Sequence, residues 1–300
     1  MIQITAEFKE KVVTELIRIR QNYDLSDAQF AKQWNINNAV WSQLKNGKRD
    51  GLLKDNQWLT MGRELNIDLY ERVWNIAKTE VYNAIEEDIV FCQNNSKSRI
   101  FVDDCSIGKT TTAKHLSRIL KNCFYVDASQ AKTKQLFIRL IAKTIGLDNT
   151  GKYADVIANV KYYLKTLPKP IVIIDEAGDL VYEAFLELKE LWNATENTCA
   201  WYLMGADGLR TKVRRGINSK KVGYSEIFSR FSDKYSNIVP TDPQEKKQFY
   251  NKLIMDVLSV NCEDKKLIPT IAKKCLTTDE TERIGGLRRA ESLLILFQNQ

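Results

Sequence analysis

Three hundred residues, 44% of them apolar, give room for about two domains with a buried core in each, which excludes a disordered chain. Lys plus Arg exceed Asp plus Glu by 45 − 38 = 7, a basic balance suited to a polyanionic partner. No run approaches the roughly eighteen consecutive apolar residues of a membrane span, and the amino terminus has no basic segment followed by a hydrophobic one. A soluble, cytoplasmic protein with no membrane partner is expected. Cys92, Cys105, Cys123, Cys199, Cys262 and Cys275 show neither CxxC spacing nor Cys/His pairing, so a reduced thiol set and no zinc site are expected. With His115 the single histidine, placed in a helical stretch, His-based nucleophilic catalysis is not expected.

In chain order, residues 6–22 place Phe8, Val12, Leu16 and Ile19 on one face of a helix. Residues 25–47 then read as helix, tight turn, helix. Ser26 caps the first helix, Asn35 stands where the turn needs a left-handed residue, and Phe30, Ala31, Trp34, Ile36, Trp41 and Leu44 give the buried set. The second helix exposes Asn37, Asn38, Ser42, Gln43 and Asn46, groups able to read base edges, while Lys45, Lys48 and Arg49 could meet phosphates. This stretch resembles the phage-repressor type of helix-turn-helix. A helical protein-interaction domain with a polar face is the competing reading.

No proline precedes Pro168, so the first half of the chain is strongly helix-permissive. A second amphipathic pattern, Val73, Ala77, Val81, Ile85 and Ile89, leads to the polar segment Asn94 to Ser98, with a domain junction near residues 68–75. From Arg99 short β-type runs alternate with helical ones: Ile100 to Val102, Cys123 to Val126, Ile171 to Ile174, Trp201 to Met204 and, weakly, Asn237 to Val239. The chain beyond Asp242 is helical only. The prediction is a helix-turn-helix domain over 1–70, an α/β nucleotide-binding domain with a parallel sheet over 71–241, and a helical lid over 242–300.

Gly108, Lys109 and Thr110 follow the first strand-like run and precede the helical stretch Ala113 to Leu120, the context of a phosphate-binding loop. Backbone N–H groups over Ser106, Ile107, Gly108, Lys109, Thr110 and Thr111 would face a phosphate at the positive end of the helix. Lys109 would reach the β and γ phosphates of ATP and the Thr110 hydroxyl would ligate Mg²⁺. Asp103 stands where the GxxxxGK[ST] pattern has its first glycine, and Asp104 adds a second carboxylate; two such charges oppose a triphosphate unless they are paired or point away. The run Pro170-Ile-Val-Ile-Ile-Asp175-Glu176 predicts a strand buried on both faces that ends in two carboxylates. Asp175 would hold the Mg²⁺ shell, and Glu176 would orient or deprotonate the attacking water.

On these residues the chain resembles the AAA+ ATPases. The resemblance implies a sensor 1 position near Asp207, after Gly205-Ala206, and an arginine finger at Arg230, in Phe228-Ser-Arg230-Phe231, acting on the nucleotide of a neighbouring subunit. It also implies a sensor 2 arginine at Arg288, with Arg289 in reserve, in Gly285-Gly-Leu-Arg288-Arg289. Within that family the layout is similar to the transposition ATPases of the phage Mu B and Tn7-type target-selection kind, on Ile85-Glu-Glu-Asp, on the loop from Ile100 to Ala113, on Asp175-Glu-Ala and on Leu203-Met-Gly. Loops of the family usually carry glycine where Asp103 and Ser106 stand. The likeness implies a homo-oligomer, ring or helical filament, on double-stranded DNA, a transposase as partner, and slow, DNA-stimulated hydrolysis. Arg210, Lys212, Arg214, Arg215, Lys220 and Lys221 read as a basic loop able to line a central channel. A helicase loader or replication initiator would share every motif, and a nucleotide-binding transcriptional regulator without turnover would share most of them.

Overall fold

The computed structural model describes residues 4–21, 26–65, 67–70, 74–277 and 284–298. The chain divides into two compact units, Met1–Val73 with Arg139–Val160, and Trp74–Ile138 with Lys161–Gln300.

The first unit opens with helices α1 (Ala6–Gln21), α2 (Asp27–Gln33), α3 (Asn38–Lys45) and α4 (Asp55–Leu65). The 3.6-residue period puts Phe8, Val12 and Leu16 inside with Val13, and they meet Phe30, Ala31, Trp34, Ile36, Trp41 and Leu44 in one core. Ser26 starts α2 with a reciprocal cap: its hydroxyl accepts from Gln29 N at 3.3 Å while Gln29 Oε1 accepts from Ser26 N at 3.1 Å. The turn between α2 and α3 passes through Asn35 at φ 52°, a conformation asparagine tolerates. Gly62 of α4 packs so tightly on α1 that a Cβ there would lie 2.3 Å from the Phe8 ring. Arg49 binds the end of α3 to α1, donating to Leu44 O at 2.6 Å and to Glu10 Oε2 at 2.9 Å.

The second unit holds five parallel strands, β1 (Arg99–Val102), β2 (Cys123–Asp127), β3 (Ile171–Asp175), β4 (Ala200–Gly205) and β5 (Tyr235–Ser236), in the order β2-β3-β4-β1-β5. Every residue of β3 and β4 is buried, which explains why both read as unbroken apolar runs. Helices α5 (Glu80–Asn95), α6 (Lys109–Ile119), α7 (Lys134–Ile145), α8 (Tyr153–Thr166), α9 (Tyr182–Ala194), α10 (Asp207–Asn218) and α11 (Tyr224–Arg230) alternate with the strands, α7 and α8 each being shared between the two units. Helices α12 (Pro243–Asn261), α13 (Leu267–Leu276) and α14 (Leu287–Gln298) form a separate apolar cluster around Ile254, Leu258, Ile271, Cys275 and Leu294. Asp242 caps α12, accepting from Gln244 N and Glu245 N at 2.9 Å, with Pro243 at the first helical position.

Three expectations need correction. Helix α5 starts at Glu80, because the Thr79 hydroxyl caps it by accepting from Tyr82 N; Ala77 lies in the extended segment before it, and Val73 lies outside the described residues. The extended segment is tied to α12 instead: Trp74 packs on the α12–α14 cluster, and Asn75 N donates to Asn261 Oδ1 at 2.7 Å while Asn261 Nδ2 donates to Asn75 O at 3.0 Å. The fifth strand is Tyr235–Ser236 rather than residues 237–239, because the backbone N–H groups of Ile238 and Val239 go to the Asp103 carboxylate, at 2.6 and 3.0 Å, and not to a strand. The basic segment after β4 lies in helix α10 at Arg210, Lys212, Arg214 and Arg215, with Lys220 and Lys221 beyond its end, and is not a loop throughout: a run without proline from Asp207 to Asn218 buries Leu209, Val213 and Gly216 at helical spacing. No helix is long and apolar enough to cross a membrane among the described residues.

Candidate nucleotide-binding site

The strand order places β4 between β1 and β3, so the loop after β1 and the acidic end of β3 emerge at the same carboxyl-terminal edge of the sheet. The loop turns through Ser106 at φ 60° and Gly108 at φ 97°, both left-handed, and buries Ile107 between them. Thr112 N donates to Gly108 O at 2.9 Å, closing the first turn of α6; the N–H groups ahead of it stand at a helix start, where no intrahelical acceptor exists.

Lys109 Nζ donates to two loop carbonyls, Asp103 O at 2.8 Å and Asp104 O at 2.6 Å. Burial holds its pKa below the usual lysine range, and the charges around it, Asp103, Asp175 and Glu176 included, act in the opposite sense. The Thr110 hydroxyl donates to Asp175 Oδ2 at 2.6 Å, and the Tyr125 hydroxyl donates to the same oxygen at 3.0 Å. Asp175 is 2% exposed, and its other oxygen accepts from Glu176 N at 2.9 Å. Glu176 follows at φ 49°, in the left-handed region. Partial burial and the adjacent Asp175 carboxylate raise the Glu176 pKa above the usual carboxylate range.

The two aspartates do not load the mouth of the loop with unpaired charge. Asp103 is 8% exposed and its backbone is not left-handed, so glycine is not required there. Its carboxylate faces inward, accepting from Ile238 and Val239 on one oxygen and from Asp104 N at 2.8 Å on the other. Asp104 Oδ2 accepts from the Tyr250 hydroxyl at 3.0 Å and pairs with Lys246 at 2.6 Å. Ser106, the other departure from glycine, keeps its left-handed turn while its carbonyl accepts from Leu287 N at 2.8 Å. Gly286 makes that approach possible, since a Cβ on it would stand 2.6 Å from Ser106 O. The segment leading into α14 is thereby docked on the phosphate loop, with Arg288 and Arg289 exposed in the first turn that follows. The cleft beside the loop has a volume of about 1730 Å³ and is lined among others by Asp104, Ser106, Asp207, Tyr250 and Lys273.

The remaining candidates separate into distinct places. Arg230 ends α11, donating to Asn193 Oδ1 and to Glu226 O, both at 2.8 Å, and lying 5.3 Å from the Trp192 ring, so its bonds go to α9 and α11 rather than to the loop. Two members of the basic stretch turn inward: Arg210 donates to Val102 O at 3.2 Å, and Lys212 donates to Gly178 O at 2.9 Å and to Leu180 O. Arg214, Arg215, Lys220 and Lys221 are exposed, with Lys221 3.8 Å over the Tyr182 ring. In the first unit Asn37 is the cap of α3, its Oδ1 accepting from Ala39 N at 2.8 Å, and Lys45 pairs with Asp27. Asn38, Ser42 and Gln43 are exposed. Tyr125, Lys246 and Tyr250 escaped sequence reasoning. A tyrosine inside the apolar run of β2 was the one signal available for Tyr125, and nothing local marked the other two.

A five-stranded parallel sheet with a phosphate loop after β1, an acidic pair after β3 and helices docked on the loop defines a P-loop NTPase. A family model described as AAA domain matches residues 106–213, from within the loop to α10. The match covers about a third of the chain and makes this α/β unit similar to the AAA domains of ATPases, in keeping with the P-loop NTPase fold of its sheet. No curated protein matches the chain.

Proposed function

We propose that the protein is an ATPase that assembles as a homo-oligomer on duplex DNA and selects or delivers target DNA to a transposase, with hydrolysis driving disassembly. The observation that carries the nucleotide part is the bond between Thr110 and Asp175, 65 residues apart in sequence, beside a lysine whose partners are neutral carbonyls. Those residues fit MgATP. The N–H groups over 106–111 and Lys109 would hold the phosphates, and Thr110 and Asp175 would hold Mg²⁺. Bound MgATP supplies the phosphoanhydride and the cation that neutralises its charge. Lys109 exchanges loop carbonyls for phosphate oxygens, which strengthens its hydrogen bonds because the new acceptors are charged. Tyr125 keeps Asp175 aligned, and Glu176, held above the ordinary carboxylate pKa, takes the proton of the attacking water.

Assembly follows from linkage: nucleotide that binds the assembled state better favours assembly, and Arg230 of a neighbouring subunit is the group we assign to that preference. Arg288, two residues beyond the docking of Gly286 on Ser106, is assigned to sensing from the lid. The DNA part is supported by the two short helices of the first unit, read as a helix-turn-helix: Asn38, Ser42 and Gln43 are free to face base edges, Asn37 is left with its amide NH₂, and the exposed Lys45–Asp27 pair is weak enough for a phosphate to displace. Arg214, Arg215, Lys220 and Lys221 add sequence-independent phosphate contacts. The test is phosphate release with and without duplex DNA, followed by co-purification. DNA-stimulated release and a transposase partner support this reading; a replicative helicase in its place, or binding to one operator without turnover, would sink it.

A further inference from the structure

A second pocket, with a volume of about 440 Å³, lies between α10, α11 and the edge strand β5. Arg210, Arg214, Phe228, Lys234, Tyr235 and Asn237 build its wall. Asp233 is the one carboxylate among the lining residues, against three cations, and Asp207 pairs with Arg210 at 3.7 Å from outside the lining, which leaves a balance of 3 − 2 = +1. Arg214 and Lys234 are exposed and form no ion pair among the described residues. Deeper in the wall, Arg210 Nε and the Tyr235 hydroxyl are buried and have no hydrogen-bond partner. A buried donor left without an acceptor is destabilising, so two in one pocket call for something that accepts from both. Burial pushes the Tyr235 phenol up, which keeps it a neutral donor beside the arginines.

Guanidinium forks, an ammonium and a phenol around one hollow match a tetrahedral oxyanion better than a carboxylate, because a phosphate offers more acceptor sites to that many donors. Arg210 also carries a connection out of the pocket: its Nη2 donates at 3.2 Å to Val102 O, the last residue of β1 before the phosphate loop, while its guanidinium lies 5.5 Å from the Tyr235 ring.

We propose that this pocket, which adjoins the cleft beside the phosphate loop at Arg210 and Asn237, is a second oxyanion site that binds a phosphate group through Arg210, Arg214, Lys234 and Tyr235. The phosphate comes either from the DNA backbone or from a soluble phosphate or phosphomonoester; the site stands on the pocket itself and not on the DNA reading above. The experiment titrates inorganic phosphate into the full chain carrying Lys109→Ala, followed by ³¹P line width, with the wild type saturated with ADP as a second background. Saturable binding is expected in both backgrounds, weakened about tenfold by Tyr235→Phe and about a hundredfold by Arg214→Ala with Lys234→Ala, the losses expected of one and of two hydrogen bonds to a charged group. Phosphate binding that vanishes in both backgrounds, or that ignores the pocket substitutions, overturns the proposal. Failure of ATP binding in the wild type would refute the nucleotide reading and leave this titration unaffected. Repeating it with duplex DNA names the source, since competition by DNA supports a backbone phosphodiester and its absence supports a soluble phosphate.

Discussion

Glu176 and Lys109 occupy opposite ends of the same electrostatic problem. Lys109 is half-buried and sheds part of its basicity, while Glu176 stands beside Asp175 and gains proton affinity. Lys109→Ala removes the one cation among the described loop residues, and isothermal titration is expected to show ATP affinity lowered by more than about a hundredfold. Glu176→Gln keeps size and removes the proposed base: turnover is expected to fall by about 10²–10⁴ with ATP affinity retained, so ATP-bound complexes should persist on DNA. A folded-state pKa above the unfolded value means that the native state binds more protons. The ionised Glu176 therefore opposes folding, and stability falls as pH rises from the unfolded pKa through the raised one. Glu176→Gln should accordingly raise Tm at neutral pH, with the gain disappearing below about pH 4, the ordinary glutamate range. A Tm difference that grows on acidification would contradict the sign.

At the scale of elements, two contacts hold the helices after β5, one to the phosphate loop and one to the segment before α5. Gly286→Ala forces a Cβ toward Ser106 O, 2.6 Å away, and because that oxygen is backbone the chain on one side or the other must shift. Rupture of the Leu287–Ser106 hydrogen bond is expected, with a penalty of about 1–3 kcal/mol read as a lower Tm, and hydrogen exchange at Leu287 should accelerate. Asn261→Ala removes the amide that both donates to and accepts from Asn75. The expected cost is about 1–2 kcal/mol, with proteolytic cleavage appearing first in the extended segment 74–79; unchanged cleavage there would mean that the Asn261 hydrogen bonds do not hold the segment. In α10 the inward turn of Lys212 has a local cause, because its ammonium satisfies two carbonyls after Glu176 that lack strand partners.

For the whole molecule, the proposed DNA interactions divide into two experimentally separable kinds. Replacing Arg215 or Lys220 with Ala should weaken binding to all sequences alike and lower the slope of log K against log salt by about one for each phosphate that is no longer neutralised. Gln43→Ala in α3 should leave that slope unchanged and alter sequence preference, measured by competition among duplexes. An identical salt slope for these variants and the wild type would remove the basic stretch after β4 from the interface.

Legibility followed distance along the chain. The phosphate loop, the acidic strand end, the four main strands and the buried faces of α1, α2 and α3 could be read from sequence because each depends on neighbours within one turn, one strand or one cap. Asn35 and Ser26 were visible for the same reason. The fifth strand was misplaced because its continuation answers to the Asp103 carboxylate, 135 residues earlier, rather than to its own apolar residues. Likewise the charge on Asp103 and Asp104 could be counted from sequence but not its compensation by Ile238, Val239, Lys246 and Tyr250. The basic stretch could be seen as charge, whereas the division into inward Arg210 and Lys212 and outward Arg214 and Arg215 required the helix to be packed on its sheet. Local chemistry thus determined which elements form and which residues are suited to phosphate and magnesium. Only the tertiary structure decided where their charges are satisfied, because a carboxylate or guanidinium takes its energy from whichever donors or acceptors the fold brings within about 3 Å, and those come from distant parts of the chain.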